Sequence, residues 1–149
     1  VPRIVRVIAE YIREHALDQN HLFRLSGKAD EADNLQSKFE TDQPIQLSLY
    51  DIHSVAEVLK RYFRDMFPPL IPFAAYDAAI KILDDSQRQH QQQLQQLSLS
   101  SASVDAHLLN RDLLYYLLRF LSAVASHAAS NHMTAQNLGV IFGPNILQP

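Results

Sequence analysis

The chain has 149 residues, 47% of them hydrophobic and 19% charged, with a formal net charge of −3. That is the length of one domain with enough apolar content for a core, and its mild acidity argues against a nucleic-acid binder. There is no cysteine, so disulfides and thiolate chemistry are excluded, which fits a reducing, cytoplasmic setting; no apolar run reaches the roughly 18 residues of a membrane span, and no signal-peptide pattern opens the chain.

Three glycines and almost no alternating pattern point to an all-α fold. Pro2 suits the first position of a helix. Ile4, Val7, Ile8, Tyr11 and Ile12 then form an apolar stripe, with Arg6, Glu10, Arg13 and Glu14 on the other face. Asp18 to His21 reads as a loop, followed by Leu22-Phe23-Arg24-Leu25-Ser26-Gly27. Gly27 permits a tight turn or a positive φ. Ser26 is placed to cap the next helix. Leu22 and Phe23 would anchor the loop in a core and hold Arg24 on a rigid mount, which suits a charge-stabilising role. Taken alone, Arg24 reads more readily as one more surface arginine.

A second helix is expected from about Ala29 to Thr41, burying Ala32, Leu35 and Phe39, with Pro44 barring any continuation. The third, about Ile52 to Met66, has the stripe Ile52, Val55, Ala56, Leu59, Phe63 and Met66. Lys60 and Arg64 are i,i+4 and stand along one flank; by themselves they read as a solvated basic face. Pro68-Pro69 stops this helix. Leu70-Ile71-Pro72 leads into a short one with Phe73, Tyr76, Ile80 and Leu83 inward.

Seven of the ten residues from Gln87 to Gln96 are glutamine, and 84–103 reads as a polar Gln/Ser-rich surface connector. A DNA-contacting role there would need a basic footprint that the segment lacks. A strongly apolar helix, about Asn110 to Ser130, carries Leu113, Leu114, Tyr116, Leu117, Leu118, Phe120, Leu121 and Val124. It belongs in the middle of a bundle. His127 and His132 are i,i+5, on different faces, so no metal site is read there. Thr134 should cap a last helix with Leu138, Ile141 and Phe142 inward, ended by Gly143-Pro144. Asn137 falls in its first turn, where an asparagine serves helix-end groups or a partner.

Three stretches, taken together and in order, resemble the Rho GTPase-activating (RhoGAP) domain. They are Leu22 to Gly27, the run from Leu59 to Pro72, and Asn131-His132-Met133-Thr134-Ala135-Gln136-Asn137-Leu138 with its Phe142-Gly143-Pro144-Asn145 ending. The likeness covers nearly all of 1–149 as a single domain. It implies a helical bundle with a shallow groove for the switch regions of a Rho-family small GTPase in its GTP form. The family's arginine finger maps onto Arg24. Its helix lysine maps onto Lys60, which would support the catalytic loop. Its second helix cation maps onto Arg64, which would brace the same loop. Its asparagine maps onto Asn137, which would contact the GTPase. GTP and Mg²⁺ would belong to the partner, so no cofactor or metal of its own is implied. The alternative is an inactive docking module of the same fold.

The chain departs from the family pattern in four places. His21 stands where the family usually has glycine, and Met66-Phe67 replaces Leu-Pro. The Gln-rich connector is longer than usual. The chain stops soon after Asn145, where the family continues into further helices, so it reads as an excised piece. Its C-terminal packing would be completed by self-association, and its membrane recruitment would fall to flanking domains.

Overall fold

The structure is a computed structural model that describes residues 1–78, 80–81 and 110–148. The helices are α1 (Arg3–His15), α2 (Ala29–Glu40), α3 (Ile52–Asp65), α4 (Arg111–Ser126), the single turn α5 (Ala128–Asn131) and α6 (Ala135–Ile146). Two-residue strands β1 (Ile71–Pro72) and β2 (Leu147–Gln148) pair in parallel, Ile71 beside Leu147. Helix α3 lies at the centre, packed on α1, α2 and α6, and α4 packs on α1 and α6. One core runs through all of them, its largest fully buried side chains including Phe23, Phe63, Phe120 and Phe142.

Helix α1 buries Val5, Ile8, Ala9 and Ile12, while Ile4, Val7 and Tyr11 pack half-buried at the edges. Helix α2 buries Ala32 and Leu35, with Phe39 half-buried. Helix α4 buries Leu113, Leu114, Leu117, Phe120 and Val124, and Asn110 caps it by accepting from the Leu113 N–H. Thr134 caps α6 as expected, its Oγ1 accepting from Asn137 N–H at 3.2 Å.

Five local expectations are corrected. Ser26 does not cap α2. Lys28 occupies the cap position and donates its N–H to Ser54 Oγ (3.0 Å), while Ser54 Oγ donates to Glu31 Oε2 (2.9 Å). The start of α2 is thus satisfied from α3 across the fold, where a local cap would otherwise serve. Gly27 has no positive φ. A Cβ there would lie 2.3 Å from the backbone N and Cα of Ser54, so glycine is needed for close approach of two backbones.

The helix expected from Asn110 to Ser130 breaks at His127. The Val124 carbonyl accepts both the His127 N–H (3.1 Å) and the Asn131 side-chain amide (2.8 Å), which closes α4 in a tighter turn. Helix α6 runs through Gly143-Pro144 to Ile146. Pro144 forfeits one N–H near the helix end, and there Asn145 Nδ2 donates to Ile141 O at 3.0 Å and Gln148 Nε2 to Asn145 O at 2.8 Å. Finally, Phe73, Tyr76 and Ile80 are exposed. Pairing with β2 holds residues 71–72 extended, and the turn Phe73–Ala75 then brings Ala75 inward beside Leu70 and Ile71. Leu83 and the 84–103 connector lie outside the described residues.

Candidate functional site

The loop between α1 and α2 is built from hydrogen-bonded turns. Gln19 N–H donates to Ala16 O (3.0 Å), Leu22 N–H to Gln19 O (3.3 Å), and Arg24 N–H to His21 O (2.9 Å). Two residues in it are left-handed: His21 at φ 56° and Phe23 at φ 71°. Neither is glycine, so each stores on the order of 1–3 kcal/mol of strain that the surroundings must offset.

The offsets are visible on both sides of the loop. His21 N–H donates to Asn131 O at 2.8 Å. Lys60 Nζ donates to Phe23 O at 3.0 Å. Leu22 is fully buried, and the Phe23 ring meets Phe120 and Phe142 edge-on, at centroid distances of 5.9 and 5.0 Å. Such pairs contribute about 0.5–1.5 kcal/mol each beyond their buried area. Arg24 follows directly and is exposed. Its guanidinium has no hydrogen bond or ion pair among the described residues.

Lys60 is well covered, its side chain 15% exposed, and its charge is balanced by Glu57 at 2.9 Å. Glu57 also reaches Arg61 Nε at 3.6 Å, and Arg61 pairs with Asp33 at 2.6 Å. The ammonium therefore serves a buried carbonyl without standing as an uncompensated charge.

Arg64 makes no hydrogen bond to the loop among the described residues. It lies one helical turn past Lys60, at the exposed end of α3, where its Nε bonds Asp65 Oδ1 at 3.1 Å. That bond outweighs the effect of partial burial and raises its pKa above the usual guanidinium value. The loop's hydrogen bonds to neighbouring elements, among the described residues, run to Lys60 and Asn131.

Asn137 is half-buried on the first turn of α6 and donates its amide to His132 O at 3.2 Å. His132 in turn packs tilted against His21, ring centroids 5.6 Å apart, and is bonded through Nδ1 to Asn20 at 2.6 Å. His21, at the usual glycine position, is thus accommodated: its ring fills the space beside His132, though its buried Nδ1 has no hydrogen-bond partner among the described residues.

The sequence reading missed Asn131 and Glu57. Asn131 was discernible as a polar residue standing just ahead of the buried Met133, and Glu57 as an acid one turn before Lys60. Elsewhere, a cleft of about 600 Å³ is lined by Arg3, Ile4, Phe39, Arg61, Tyr62 and Phe67 among others. Arg24, Lys60 and Asn137 do not line it. Among the described residues no group of histidine and acidic side chains could hold a metal ion, and no helix is long and apolar enough to cross a membrane.

The sequence profile of the RhoGAP domain matches residues 2–149. The chain belongs to the RhoGAP domain family. This RhoGAP domain is 35% identical over 149 residues to Rho GTPase-activating protein 24 of Rattus norvegicus, covering 99% of this chain and 20% of the relative. It is 36% identical over 154 residues to Rho GTPase-activating protein 22 of Mus musculus, covering 99% and 21%. The chain therefore spans about a fifth of the length of these curated relatives. Among solved structures, human Rho GTPase activating protein 15 superposes with a TM-score of 0.76 at 27% identity, over 99% of this chain and 69% of that one. The BH domain from Graf, the GTPase regulator associated with focal adhesion kinase, gives 0.73 at 26% identity, over 98% and 78%. The all-helical architecture is shared.

Proposed function

We propose that this domain accelerates GTP hydrolysis by a Rho-family small GTPase, lending Arg24 to the partner's nucleotide site. The observation that carries the reading is an exposed guanidinium, without a partner among the described residues, on a loop whose adjoining peptide groups are fixed from two sides, at His21 N–H and Phe23 O. Negative charge spreads over the γ-phosphoryl and leaving oxygens as the terminal phosphate departs. A preorganised cation stabilises that charge with little reorganisation at the moment of reaction. In the related Ras system, an arginine supplied by the activating protein is worth about 10³–10⁵ in rate. That corresponds to roughly 4–7 kcal/mol of barrier.

In this scheme Lys60 holds the loop through Phe23 O. Arg64, exposed, and Asn137, half-buried, meet the GTPase surface and contribute to affinity. GTP and Mg²⁺ are carried by the partner, and the domain turns over no substrate of its own. It acts in the cytoplasm, where flanking domains recruit it to membranes.

The test is single-turnover hydrolysis by GTP-loaded Rho- and Rac-type GTPases, with and without the domain. Acceleration that Arg24→Ala removes, with binding retained, supports the reading. Binding of the GTP form without acceleration by the wild type would make the domain a docking module.

A further inference from the structure

Asn131 is the last residue of α5, and its side chain is completely buried. Every polar group it owns is used. Nδ2 donates to Leu17 O at 2.8 Å and to Val124 O at 2.8 Å. Oδ1 accepts from Met133 N–H at 2.7 Å. Its backbone N–H donates to His127 O at 2.9 Å, and its backbone carbonyl accepts from His21 N–H at 2.8 Å. One residue therefore joins the exit of α1, the end of α4, the start of α6 and the entry to the Arg24 loop.

The connection reaches Arg24 in two bonds. Asn131 O holds the His21 N–H, and the His21 carbonyl holds the N–H groups of Arg24 (2.9 Å) and Leu25 (3.2 Å). His21 is left-handed, so this peptide would relax toward a commoner conformation if released. Lys60 restrains the loop only at Phe23 O, on the other side. Only a primary amide meets the demand at position 131. Two carbonyls need donors and one N–H needs an acceptor, in a buried place where any of them left alone is costly.

We propose that Asn131 is a positioning residue for the arginine finger, fixing the loop entry so that Arg24 projects at one set angle. This rests on the reading that Arg24 acts on a GTPase-bound nucleotide. Asn131 touches neither partner nor nucleotide in this scheme; it acts through His21.

The experiment compares wild type, Asn131→Ala and Asn131→Asp in single-turnover GTP hydrolysis at increasing concentrations of the domain, alongside amide hydrogen exchange of the domain without GTPase. Asn131→Asp keeps the volume and removes both donors. Both variants should lose about 10–100-fold in the rate at saturation, the scale on which small misplacements act. The concentration giving half the maximal effect should move less than about threefold, because the groove is intact. The His21 and Arg24 amides should exchange faster in both. A folded variant that keeps the wild-type saturating rate, or that changes only the half-saturating concentration, overturns the proposal. If the variants do not fold, wild type decides: His21 and Arg24 amides protected on a par with Met133 support a single docked unit, and exchange far faster than Met133 overturns it. If wild type accelerates no GTPase, the functional reading fails separately, and the exchange data still decide whether Asn131 sets the loop.

Discussion

Lys60 Nζ sits 3.0 Å from the carbonyl oxygen of Phe23, the residue immediately before Arg24. The lysine comes from the rigid middle of α3 and the carbonyl from a left-handed residue in a loop. Replacing Lys60 with methionine keeps much of the stem and removes the donor. It strands the Phe23 carbonyl and leaves Glu57 without its nearest cation. A hydrogen bond to a charged group contributes about 1.5–3 kcal/mol. Lys60→Met should therefore cost roughly that much in urea denaturation, and should lower the saturating rate of GTP hydrolysis more than it weakens binding.

Gly27→Ala should be destabilising even though φ at Gly27 is ordinary. The added methyl would meet the Ser54 backbone at 2.3 Å, with rigid atoms on both sides. Overpacking of this kind costs about 1–3 kcal/mol, and α2 and α3 would have to part at their N-termini. The loss of the Lys28 N–H to Ser54 Oγ bond should follow, read as faster exchange of the Lys28 amide.

His21→Gly should be close to neutral. Glycine removes the strain at φ 56° and the unpartnered ring nitrogen, but it forfeits the packing against His132 and adds freedom to the unfolded chain. Thermal denaturation should show a change within about 1 kcal/mol, and the acceleration of GTP hydrolysis should survive.

Asp18 and His127 give a pH signature. The hydrogen bond from His127 Nδ1 at 2.9 Å, ahead of the opposing effect of burial, holds the Asp18 carboxyl below its ordinary 3.8. A carboxylate whose folded-state pKa is depressed contributes stability that is present above the unfolded value. That contribution is lost as pH falls through the folded value, so the window lies below about pH 4. Both side chains are exposed, so salt should screen the effect. His127→Ala should return the Asp18 titration toward 3.8, as followed by carboxyl carbon NMR.

Much of the framework was legible because it follows from periodicity. The helices α1, α2 and α3, the burial of Leu22 and Phe23, and the Thr134 cap all follow from local spacing and side-chain chemistry. What was not legible depends on partners distant in sequence. The cap of α2 is supplied by Ser54, 26 residues away. The break at His127 depends on an amide that also serves Leu17, 114 residues away. The exposure of Phe73, Tyr76 and Ile80 depends on β2 pairing with β1. The bracing role of Arg64 came from the family resemblance, whereas its i,i+4 spacing from Lys60 reads as a solvated flank; among the described residues Lys60 bonds the loop and Arg64 bonds Asp65. Side-chain spacing fixes direction around a helix but not what lies within reach.

Phe23 has its ring in the interior and its peptide carbonyl next door to the cation. Under the proposed function, the interior is therefore a component of the chemistry assigned to Arg24. Conservative changes at Phe120 or Phe142, both buried, would tilt that ring and swing the arginine tip with it. A search for loss-of-activity alleles in this domain should recover these aromatic positions beside the arginine itself, as proteins that still fold and still capture the GTPase.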